Sequence, residues 1–256
     1  MIFTIAAKEL KALFASPLAW VVLCVVQIIA SFSFLRGLDR FLEEQPQLAT
    51  MVNAPGVTAL VAAPVFFTVA GLLLFAAPLL AMRMIAEERR NQTLVLLMSA
   101  PVSMTEIVLG KFLGLMVFLL GIVALVVLMP LSLAGTTRLD YGQLVGLFAG
   151  IALLAASFTA VSLFVSSLTA HPVIAAIGAF AALLGMLLAG DPASDGLRVR
   201  GWPVAASFAQ MLSPVKNFEP LSKGMIDTYA VVCSVLLTLV FLILTIRQLD
   251  AQRLRG

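Results

Sequence analysis

Charge is what this chain has least of. Only 11% of its 256 residues are Asp, Glu, Lys or Arg, against 62% hydrophobic, and the mean hydropathy is +1.11. A soluble domain carries about 25% charged and 45–50% apolar residues, so an ordinary water-facing protein is excluded. Histidine occurs once and cysteine twice. Cys24 and Cys233 sit far apart inside apolar runs without metal-ligand spacing, which favours packing over a disulfide or a metal site. No glycine-rich run ends in Gly-Lys-Ser or Gly-Lys-Thr, so the chain has no phosphate-binding loop with which to use ATP itself. There is no HExxH zinc signature and no Ser/His/Asp set, which argues against a hydrolase. Without a basic, aromatic surface there is nothing to hold a nucleic acid.

What is present is lipid-compatible. Six apolar stretches, at about 17–35, 60–82, 112–134, 142–168, 172–190 and 229–246, approach or exceed the roughly 20 residues a spanning helix needs. Their apolar residues run continuously rather than alternating, so the expected fold is an all-α membrane protein of six spans. Little chain remains outside them, and residues 1–256 read as one transmembrane domain. The first run is longer than a signal-peptide core and has no clear small-residue cleavage site, so it reads as a retained span.

None of the six stretches contains Asp, Glu, Lys, Arg or His in its interior. Proton-driven carriers, voltage sensors and intramembrane relays keep ionisable groups at depth despite their cost. A sodium site of carbonyls and hydroxyls would still fit. Power for any work is therefore expected to come from outside the chain.

Basic residues set the orientation. With both termini in the cytoplasm, the inner side holds Lys8, Lys11, Arg83, Arg89, Arg90, Lys111, Arg247, Arg253 and Arg255. The outer side holds Arg36, Arg40, Arg138, Arg198, Arg200, Lys216 and Lys223, spread over longer loops. Bias close to span ends counts most, so both termini are placed inside.

The one dense polar passage runs from Arg83 to Lys111, between spans two and three: RMIAEERRNQTLVLLMSAPVSMTEIVLGK. Leu94, Leu97 and Met98 recur at i, i+3 and i+4, predicting a short amphipathic helix between Asn91 and Ala100. Pro101 breaks it, and Ser103 with Glu106 forms a capping box that opens span three. Span two carries Pro64 and Pro78, the second placed to kink it just before this insert, although most intramembrane prolines are only structural.

Elsewhere, residues 1–16 are amphipathic and predict an N-terminal interfacial helix, serving as an anchor or as part of a docking surface. A polar outer loop is expected from Arg36 to Ala59. Gly142, Gly146 and Gly150 form a small-residue ladder that suits close helix packing within one subunit or a dimer seam. Thr159, Ser162, Ser166 and Thr169 make a hydroxyl stripe, again either packing or path lining. His171 lies in the turn before span five and reads as a loop residue. Between Gly190 and Asp227, turn residues bracket an apolar middle with Trp202, and short outer-face helices are expected there.

The run from Pro78 to Arg83, then Ile85-Ala86-Glu87-Glu88-Arg89-Arg90, Thr93-Leu94 and Leu96-Leu97, resembles permease subunits of type-2 ABC exporters, nearest the gliding-motility-associated branch. Ser99 to Ser103, Glu106 to Lys111, Lys8-Glu9-Leu10, Ser16-Pro17, Leu212-Ser213-Pro214, Phe218 and Gly224 to Asp227 extend the resemblance over nearly the whole chain. The resemblance implies a bacterial inner-membrane permease paired with a second copy or homologue. It also implies two ABC ATPase subunits, which would bind the ATP and Mg, and in some gene sets a membrane-anchored protein with a large periplasmic domain. It further implies that the connection between spans two and three is a coupling helix. Glu87, Glu88, Arg89, Arg90, Thr93, Leu94, Leu97 and Met98 are then the docking candidates, with Leu168 to His171 secondary. Gln92 stands where glycine commonly precedes the Thr-Leu pair, and Val95 where an acid often follows it. On this reading Glu88→Lys should break ATPase association and leave membrane insertion intact. The expected function is ATP-driven export of an amphipathic or lipid-like substrate; a force transmitter acting on an outer partner and a self-sufficient carrier are the alternatives.

Overall fold

The computed structural model describes residues 1–48, 55–92, 103–135, 137, 139–190, 200–225 and 227–253. The predicted coupling helix, with Thr93, Leu94, Leu97 and Met98, lies outside the described residues. Those described are helical and contain no strand. Nine helices are described: α1 (Ile2–Phe14), α2 (Pro17–Leu48), α3 (Thr58–Arg90), α4 (Met104–Leu131), α5 (Tyr141–Leu168), α6 (Pro172–Leu188), α7 (Pro203–Met211), α8 (Pro214–Ser222) and α9 (Thr228–Arg253). Helices α2, α3, α4, α5 and α9 are long and apolar enough to cross a membrane. The 17-residue α6 is apolar too, and helical backbone continues through Gly190. At about 1.5 Å per residue that is close to the thickness of a hydrocarbon core.

Helix α5 is the hub. It packs against α3, α4, α6, α8 and α9, and it is the most buried of the long helices. The outward faces of α2 and α9 expose Ile28, Phe32, Leu236 and Ile243, as lipid-facing helices do. The chain termini share one end of the bundle, where Ile2 and Phe3 line a groove with Leu239 and Leu242. We call this the terminal end and the other the distal end.

Helix boundaries extend beyond or fall short of the expected spans at several places, three of which bear on the polar segments. The polar stretch after Leu35 is not a loop: α2 continues to Leu48, where Arg40 and Glu44 form an i,i+4 pair at 3.8 Å and Pro46 sits in the last turn. Span three starts well before Phe112, because the Ser103–Glu106 capping box sets its first residue at Met104. Ser103 Oγ accepts from the Glu106 backbone N–H at 3.2 Å, and Glu106 Oε2 accepts from the Ser103 N–H at 3.1 Å. It also ends earlier, at Leu131.

At the distal end α8 lies across the start of α5. A Cβ at Gly146 would come within 2.7 Å of the Leu221 carbonyl, and one at Gly150 within 2.8 Å of the Phe218 ring. Glycine at these two positions lets α8 lie on α5 backbone to backbone, and Phe218 then stacks edge-on against Phe67 of α3 at 5.1 Å. Gly142 is exposed and approaches only Asp140.

Candidate functional site

The polar residues that the sequence singles out converge at the terminal end, around the exit of α3. That helix begins and ends in π-type turns, Thr58–Ala62 and Arg83–Glu87. The second is held open by α5. The Ser166 hydroxyl accepts from the Ala86 N–H at 3.1 Å and donates to the Met82 carbonyl at 3.5 Å. These two backbone groups would otherwise bond to each other as an ordinary i→i−4 pair, so the serine is inserted into the ladder. One turn later the Arg89 guanidinium donates to the Ser167 carbonyl at 3.1 Å. The α3 exit and the α5–α6 turn are thereby fixed to each other, and His171, exposed at the start of α6, sits on the same end.

On its other side the α3 exit meets a charge cluster. Lys111 Nζ lies 2.7 Å from Glu88 Oε1 and 3.1 Å from Glu9 Oε1, and its side chain is 0% exposed. Lys8 completes the group at 3.3 Å from Glu9 and 3.8 Å from Glu88. Two acids and two bases from three helices thus leave no net charge. This matters because an uncompensated buried ion costs several kcal/mol. Nearby, Arg83 pairs with Glu87 at 2.7 Å and donates to Ser16 Oγ, joining α3 to the start of α2. A cleft of about 220 Å³, lined by Lys8, Glu9, Arg83, Glu87, Glu88 and Asn91, opens beside the cluster.

Helix α1 brings Glu9 into place. It runs alongside the first half of α4, where a Cβ at Gly110 would meet Ile5 at 2.7 Å and one at Gly114 would meet the Glu9 Cβ at 2.9 Å. Phe14 closes the seam against Phe118 with ring centres 5.3 Å apart. The amphipathic N-terminal helix is therefore bound to α4 along this seam.

The candidates among the described residues can now be placed. Glu88 points inward, only 18% exposed, and its partner is Lys111. Charge reversal there would set two lysines together, so Glu88→Lys tests the internal lock before it tests docking. Glu87 is engaged by Arg83 and Arg89 by Ser167, while Arg90 is exposed. Ser166 is built into the α3 backbone; Thr159 and Ser162 are buried, and their hydroxyls have no hydrogen-bond partner among the described residues. Lys111 and Glu9 escaped the sequence reading, which took Lys111 for a charge at the mouth of span three. The available signal was the capping box: a helix starting at Met104 places Lys111 two turns inside, between Gly110 and Gly114.

The bundle is that of a multi-pass membrane protein with an elaborated polar end. The family described as ABC-2 family transporter protein matches residues 3–254, and the chain belongs to that family. It is thus the membrane subunit of an ABC transporter and not the ATPase, and an ABC ATPase is its partner. A search of curated proteins found none that matches.

Proposed function

We propose that this chain is an inner-membrane exporter permease, with both termini cytoplasmic. A separate ATPase docks on the terminal end and drives an amphipathic or lipid-like molecule across the membrane. The observation that carries this reading is the braced exit of α3, fixed to α5 through Ser166 and Arg89 and to α1 and α4 through Lys111. A lever needs such bracing, because a push on a frayed helix end would dissipate locally. The docking pad is assigned to Arg90 and the Thr93, Leu94, Leu97 and Met98 segment that follows it, with His171 at its edge. Two ATPase subunits would hold ATP and Mg, and a second permease copy or homologue would complete the path.

The cargo class is argued from the distal end. A cavity of about 700 Å³ lies between α2 and α3, lined by apolar Ile29, Phe32, Leu60 and Pro64 and by charged Arg36, Asp39, Arg40 and Glu43. Arg36 lies 4.9 Å above the Phe32 ring. A lining of apolar and charged side chains together suits a molecule with an acyl part and a charged head. The direct test is photo-crosslinking from single probes at Leu94, Leu97 or Met98 in the purified complex. Adducts to a subunit carrying a phosphate-binding loop are expected. Adducts to lipid alone would overturn the docking assignment.

A further inference from the structure

Between the terminal ends of α3 and α4 the described contacts include one buried ionic bridge, and its chemistry sets it apart from everything around it. The α1–α4 seam is apolar and closed by direct backbone approach at Gly110 and Gly114. The α3–α5 seam is closed by the inserted Ser166 hydroxyl and the Arg89 contact. Helix α1 meets the end of α3 mainly by side chains, beside the 220 Å³ cleft. Two tightly knit pairs, α1 with α4 and α3 with α5, are thus bridged at this end by buried Lys111, which reaches from α4 to Glu9 and Glu88, with the exposed Lys8 of α1 adding a longer contact to Glu88.

A buried ion pair adds little net stability over apolar groups of the same shape, because desolvation offsets the Coulomb attraction. What it does supply is direction and register: a lysine held between two carboxylates resists sliding that an apolar contact would allow. We propose that Lys111, Glu9 and Glu88 are positioning residues for coupling. They form an ionic strut that makes α1, α4 and the exit of α3 move as one body when the ATPase acts, so that a push on α3 also displaces α4. This deepens the proposed function and rests on it.

The test separates the strut from docking. In a background with Cys24→Ala and Cys233→Ala, spin labels are placed on Lys11→Cys and Leu79→Cys, both exposed and outside the docking pad, in the full complex reconstituted in vesicles of phosphatidylethanolamine and phosphatidylglycerol. The strut predicts the same Lys11–Leu79 distance distribution without nucleotide and with trapped ATP; a shift between the two states overturns it. The neutral triple variant Glu9→Gln, Lys111→Met, Glu88→Gln removes the three buried charges together; of the cluster only Lys8 remains charged, and its side chain is 61% exposed and can be hydrated. This variant should retain the ATPase through purification and melt close to the parent, yet lose ATP-dependent movement of a fluorescent phospholipid analogue, with the Lys11–Leu79 distance now changing on ATP trapping. Parental transport by a triple variant that folds would overturn the strut and leave docking intact. Loss of the ATPase from the parent complex would instead count against the proposed function. Should the triple variant fail to fold, the distance measurement in the unaltered strut still decides.

Discussion

Lys111 shows how much a single side chain can demand of its surroundings. Fully buried, it is held by Glu9 and Glu88, and removing the cation alone leaves two mostly buried carboxylates with only the exposed Lys8 beside them. Lys111→Met by itself should therefore cost about 3–5 kcal/mol, read as a lowered melting temperature in detergent, and Glu9→Gln with Glu88→Gln should recover most of it. Gln92 makes a quieter point. Its φ of 58° is a left-handed conformation that glycine adopts at no steric cost, and it closes the end of α3 with its N–H on the Arg89 carbonyl. Gln92→Gly should gain about 1 kcal/mol and Gln92→Ile should lose as much or more, both measurable by thermal unfolding. The glutamine was recognisable in the sequence as a departure at a glycine position; the φ that explains it was not.

Among the elements, the bent exit of α3 is made by its neighbour. Ser166→Ala would leave the Ala86 N–H buried without an acceptor, at about 1–3 kcal/mol, unless the π turn relaxes to an ordinary helix. Hydrogen exchange at residues 83–87 distinguishes the two: faster exchange marks the lost bond, slower exchange marks the relaxed turn. At the distal end Gly146→Leu should lift α8 off α5, visible as exchange across Pro214–Ser222. The same helix carries a pH dependence. Hydrogen bonding from Lys223 holds Glu219 below the ordinary glutamate range, against a weaker opposing effect of burial and with help from Lys216. A depressed folded-state value means the contribution is complete above the unfolded pKa of about 4.3 and disappears as pH falls through the folded one. Protection of α8 amides, corrected for the pH dependence of intrinsic exchange, should thus be unchanged between neutral and mildly acidic buffer and fall only in strong acid. Spans, caps and the distal helices were legible because hydropathy, proline and capping residues act locally. The extension of α2 to Leu48 was not: its charged residues look like a loop until Arg40 and Glu44 are seen to pair one turn apart. The π turn at Arg83–Glu87 was equally hidden, since its cause lies some eighty residues away at Ser166.

For the molecule as a whole, the apolar spans and the polar end describe a division of labour. Ionisable groups and phosphate loops are matters of residue type, so the expectation that power comes from outside the chain could be drawn from the sequence; the buried pairing of Lys111 inside α4 could not. The sequence also singled out the span two to span three insert as the expected point of contact, a role that belongs to the proposed function. The bracing was out of reach, because Glu9 and Lys111 are 102 residues apart and only helix packing brings them together. The proposed function requires that work enter through a partner ATPase. The most direct measurement is transfer of a fluorescent phospholipid analogue across vesicles holding this chain alone or together with the ATPase that co-purifies with it. Transfer that requires both proteins and hydrolysable ATP is the predicted result. Uphill transfer by the chain alone, driven by an ion gradient, would contradict it.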